Sequence, residues 1–109
     1  MNWKEYKMES KIRVIIVPPD QDPYVKEISN TLEEMQGIVD GYLEVVGTEF
    51  RNAVVVCNEE GMIHDLPKNV YGIHGTFFVA NVSGSEFASL TELECKILMK
   101  EIKKVRGEV

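Results

Sequence analysis

The chain has 109 residues, of which 44% are hydrophobic and 28% charged, with a formal net charge of −6. This length suits a single domain with one core, and the composition excludes a disordered chain. The acidic balance argues against a protein that grips phosphates through Lys and Arg, and it is too modest for a DNA mimic; no nucleic-acid partner is expected.

Residues 1–10 show no period and read as a mobile lead-in, in which Trp3 and Tyr6 can dock as apolar anchors. They lack the apolar core of a signal peptide. The longest apolar run, Ala53 to Cys57, is far short of the roughly 18 residues that a spanning helix needs. A cytoplasmic protein without a membrane partner is expected. Cys57 and Cys95 then read as small buried hydrophobes rather than a disulfide.

The single α+β domain is expected over residues 11–106. Lys11-Ile12-Arg13-Val14-Ile15-Ile16-Val17 is rich in β-branched residues and predicts a central strand, ended by Pro18-Pro19. Asp22-Pro23 fits a helix start, with Val25, Ile28, Leu32 and Met35 on one face and Gly37 as the stop. Tyr42 to Val46 predicts a second strand and Ala53 to Cys57 a buried third. Asn58-Glu59-Glu60-Gly61 reads as a turn leading into a short fourth strand, Met62-Ile63. Leu66-Pro67-Lys68-Asn69 is a loop, and Thr76 to Val82 predicts a fifth strand. Thr91 and Glu94 fit a reciprocal capping box at the start of the last helix. Leu93, Ile97, Leu98, Ile102 and Val105 form its expected buried stripe. The order is βαββββα: a two-layer α+β fold, its mixed, mostly antiparallel sheet packed against two helices on one face.

No motif commits to a chemistry. His64 and His74, with Cys57, Asp65 and Asp40, offer metal-ligand types, but no closely spaced Cys or His pair anchors a site, so no metal is expected. No glycine-rich phosphate loop is present, and no cofactor is expected. His64-Asp65 are neighbours whose side chains diverge in extended chain. Glu44 is the most informative carboxylate, because it sits mid-strand between apolar residues. Asn58 and Asn69 are turn residues that can also line a pocket. Glu44, Asn58, Glu59, Asn69 and His74 are the expected ligand- or partner-binding residues.

Val17-Pro18, Gly41-Tyr42-Leu43-Glu44, Asn58-Glu59-Glu60-Gly61, Leu66-Pro67-x-Asn69, Ile73-x-Gly75 and Ser89-Leu90-Thr91 follow one another in an order that resembles a family of small bacterial and phage domains, domain of unknown function family 3846. Asp40 stands where a glycine is expected in that family. The resemblance implies a gene carried by phages or other mobile elements and carries over no catalytic residue. Three readings follow. The first is a non-enzymatic accessory protein that binds a protein or small molecule. The second is a small hydrolase using His64 or His74 with Glu44 or Cys57. The third is a structural homodimer joined through a sheet edge.

Overall fold

A computed structural model describes residues 10–107; the lead-in with Trp3 and Tyr6 lies almost wholly outside them. The described chain is an α+β fold of two helices and one open sheet. Strand β1 (Lys11–Val17) is followed by β2 (Tyr24–Ser29), helix α1 (Leu32–Val39), β3 (Leu43–Gly47) and β4 (Ala53–Asn58). A 3-10 turn at Val70–Gly72 precedes β5 (Phe77–Ser83), β6 (Glu86–Ala88) and helix α2 (Glu92–Arg106). The strands lie in the order β2-β1-β5-β4-β3, with β6 paired to β5. Each pairing is antiparallel, and Val79 on central β5 faces Ile15 on β1 and Val55 on β4.

Four strands separate the two helices, as the sequence predicts, but two local assignments change. The segment expected to start the first helix is strand β2, which pairs with β1 from Lys11↔Ser29 to Ile16↔Tyr24. Tyr24, Val25 and Ile28 favour strand, and only Ile28 of this set is buried. The helix begins where Thr31 accepts a hydrogen bond from the Glu34 amide, 3.2 Å away. It runs through Gly37 and ends at Asp40, which is left-handed at φ 63°. Met62-Ile63 is the second change. These residues form part of a coiled turn rather than a strand, closed by Leu66 N donating to Gly61 O at 2.9 Å. The fourth strand of the set is Glu86–Ala88 instead.

The helices occupy opposite faces of the sheet, which corrects the two-layer expectation. On one face Ile15, Val17, Val55, Cys57, Phe77 and Val79 pack with Leu90, Cys95 and Ile102 of the α2 segment. On the other, Ile12, Val14, Ile16, Val56, Phe78 and Ala80 pack with Met35 and Val39 of α1. The cause is visible in β1, β4 and β5. Their apolar runs are continuous rather than alternating, so both faces need a cover. Phe77 and Phe78 are fully buried on opposite sides, each worth about 2–3 kcal/mol of burial.

Helix α2 starts with the expected capping box: Thr91 Oγ1 accepts from Glu94 N, and Glu94 Oε1 from Thr91 N at 2.8 Å. Its buried side differs from the expected stripe. Glu94, Cys95 and Ile102 are buried, whereas Leu93, Ile97 and Val105 are exposed. That exposure leaves part of the sheet uncovered beside α2.

Candidate functional site

A groove of about 930 Å³ opens where α2 stops short of the β3 edge. Its floor follows from strand alternation. Val55 and Cys57 on β4 face α2, and their cross-strand partners Val46 and Glu44 on β3 share that face. Ile97, Leu98, Glu101 and Ile102 of α2 form one wall. Gly61-Met62 and Tyr71 to His74 close one end, and Gly47 to Phe50 the other. The volume and the mainly apolar walls are those of a ligand site.

Among the described residues the ionisable groups of this lining are Glu44, Glu49, Glu59, Glu101, Cys57, Tyr71 and His74, with no Lys or Arg. Arg51 stands behind one end, its guanidinium 5.9 Å from the Phe50 ring centre. The Cys57 thiol lies 3.7 Å from the carbonyl oxygen of Glu44 and 4.0 Å from its carboxylate. Burial, and then the Glu44 charge, push this thiol up from its ordinary value. A thiol held protonated is a poor nucleophile. Burial and the Glu101 carboxylate likewise raise the Tyr71 hydroxyl.

Glu44, Asn58, Glu59 and His74 of the sequence-expected set line the groove; Asn69 does not. Asn58 is buried, and its side chain serves the backbone. Its Nδ2 donates to Val39 O and Asp40 O at 3.1 and 2.9 Å, and its Oδ1 accepts from Glu60 N at 2.7 Å. Asn69 ties β1 to the segment before β5 and to α2. Its Nδ2 donates to Val17 O and Gly75 O, both at 2.9 Å. Its Oδ1 accepts from Val70 N at 2.8 Å and from Arg106 Nη2 at 2.9 Å.

The two histidines part company. His74 Nδ1 lies 3.0 Å from Leu66 O; a carbonyl only accepts, so Nδ1 is the donor. His64 Nε2 lies 3.3 Å from Glu60 Oε1 on the exposed turn, outside the groove lining. The contacts that form are therefore His64 with Glu60, His74 with a backbone carbonyl, and Glu44 with Cys57. Both cysteines are free. Among the described residues no group of three His, Cys, Asp or Glu is placed to hold a metal ion. No helix among them is long and apolar enough to cross a membrane.

Sequence reasoning missed Val46, Tyr71, Ile97 and Glu101. Ile97 repeats at helical spacing like any core residue. Tyr71 sits in a loop at φ 61°, a conformation that no local pattern announces.

The recurrent motifs prove to be joints between elements, and one of them, Gly61 against His74, lies in the groove's lining. A Cβ on Gly61 would lie 2.6 Å from His74 O, and one on Gly75 2.8 Å from Leu66 Cδ1. Gly75 has φ 90°, which L side chains rarely adopt. Val17 O accepts from Asn69, and Pro18 O from Arg106 Nη2 at 2.7 Å. Ser89 Oγ accepts from Arg13 N at 2.9 Å, while Leu90 N donates to Arg13 O at 2.9 Å. Comparison with curated proteins and with solved structures gave no match. A family's sequence model matches residues 12–103, nearly the whole described fold, and by that match the chain belongs to the domain of unknown function family DUF3846.

Proposed function

We propose that the chain is a non-enzymatic binding module that acts in the cytoplasm as an accessory protein of a phage or other mobile element. The groove between α2 and the β3 edge is its binding surface. One observation carries this reading: an open, mainly apolar groove of ligand size has in its lining a thiol that burial pushes away from reactivity. The mobile-element setting rests on the family resemblance. The carboxylate-only charge of the groove supports a protein or small molecule, rather than nucleic acid, as its occupant.

Titration with the environment-sensitive apolar dye bis-ANS tests the groove. Saturable binding at one site is expected, lost in Ile97→Arg while thermal unfolding stays unchanged, because that side chain is already exposed. Turnover of an ester, amide or phosphoester panel that disappears in Cys57→Ala or His74→Ala would overturn the non-enzymatic reading.

A further inference from the structure

Among the described residues strand β3 ends the sheet on the groove side. The amide of Glu59 donates to Tyr42 O at 2.8 Å, which marks Tyr42–Glu59 as a hydrogen-bonded cross-strand pair. Antiparallel pairs alternate in type. Glu44 and Val46 therefore spend their backbone groups on β4, while Leu43, Val45 and Gly47 point theirs outward. The strand has no proline and no lysine, and its one charge is Glu44. Val45 and Val46 are 49% and 43% exposed.

The side chains of this edge are sorted by face. Towards the groove stand Glu44 and Val46, with Glu49 and Glu59 near the two ends of the strand. Leu43 and Val45 face the other way. A strand laid along β3 would thus meet carboxylates and apolar wall on one face and exposed aliphatic surface on the other.

We infer that the β3 edge and the groove together take an extended segment of a partner protein in which basic and apolar residues alternate, added to the sheet as a further antiparallel or parallel strand. Lys or Arg side chains lay their aliphatic stems across Val46 and the groove wall and bring their heads to Glu44, Glu49 and Glu59. The intervening apolar residues cover Val45. Main-chain bonds to Leu43, Val45 and Gly47 supply affinity, and the carboxylates supply specificity. A second copy of this chain is the poorer occupant. Edge-to-edge pairing of two β3 strands would set Glu44 and its neighbouring carboxylates of each copy beside those of the other, between chains that each carry a net charge of −6. The inference rests on the groove being a binding surface.

The test uses the whole chain, labelled with nitrogen-15, and two end-blocked octapeptides, one alternating Val with Lys and the other Val with Glu. The Val–Lys peptide is expected to bind, more weakly at higher salt. It should slow hydrogen exchange at the amides of Leu43, Val45 and Gly47 and leave Glu44 and Val46 as they were. Glu44→Lys is expected to weaken it about tenfold, equivalent to 1.4 kcal/mol. Val45→Pro removes an outward donor where edge strands tolerate proline; it should abolish peptide binding while bis-ANS still binds. Equal binding of both peptides, or binding without protection at the three outward amides, overturns the inference. So does a concentration-dependent dimer that protects those same amides. Dye binding without peptide binding overturns the inference alone. Loss of both overturns the groove reading as well.

Discussion

The amide group of Asn58 fills the space that a side chain on residue 41 would need: a Cβ on Gly41 would lie 2.5 Å from Asn58 Nδ2. That nitrogen also holds Val39 O and Asp40 O, so the end of α1 hangs on one buried side chain of β4. Gly41→Ala is expected to cost about 2–3 kcal/mol, as would a lost buried hydrogen-bond set. Asn58→Ala should cost a similar amount, and the double variant less than the sum. Urea unfolding of the four proteins checks the cycle.

Asp40 adopts φ 63° and ψ 43° at the C-terminal cap of α1, a left-handed conformation that glycine adopts without strain. Asp40→Gly is expected to raise stability by about 0.5–1 kcal/mol. A higher urea midpoint with an unchanged slope would show it. A lower midpoint would mean that the Asp40 side chain stabilises the turn in another way.

Glu94 is buried, and its carboxyl is held below the ordinary value, first by the Thr91 amide and then by the side chains of Asn81 and Thr91, against the opposing effect of burial. A depressed carboxyl contributes stability that is present above its unfolded value, about 4.3, and is lost as pH falls through its folded one. As pH falls below about 4.3 and through the folded value, the native protein should lose more stability than Glu94→Gln. Thermal unfolding across that range would reveal parallel curves if Glu94 has no such role.

Cys57 should alkylate slowly with iodoacetamide at neutral pH when folded and rapidly when unfolded, because it is buried and its thiol is raised. Replacing Glu44 with Gln removes the smaller of the two causes. It is expected to speed alkylation by a few-fold, with the pH profile shifted down. Mass spectrometry of timed samples separates this site from Cys95.

The parts of the fold that were legible are those whose signals are local. Thr91 and Glu94 announce the start of α2, and the β-branched runs of β1 and β4 announce buried strands. The spacing Val25, Ile28, Leu32, Met35 misleads because Ile28 and Met35 reach the same core from a strand and from a helix. Met62 and Ile63 mislead through composition: they are apolar yet 71% and 78% exposed. In the groove, Glu44 was readable as a carboxylate stranded between apolar neighbours. Tyr71, Ile97 and Glu101 were not, because their roles arise only when the loop, α2 and β3 pack together. Asn58 and Asn69 have the residue type of pocket-lining groups, yet both bind the protein's own backbone.

The position of β5 bears on how the chain is made. It is central in the sheet yet begins only at Phe77, so until it emerges from the ribosome the two earlier hairpins, β1–β2 and β3–β4, have nothing to join them. During synthesis the nascent chain must carry Ile15 and Val55 exposed for most of its length. Contacts of such long sequence separation form late and slowly. Products terminated before Phe77 would present unpaired valine-rich strands, because β5 is what joins the two hairpins into one sheet.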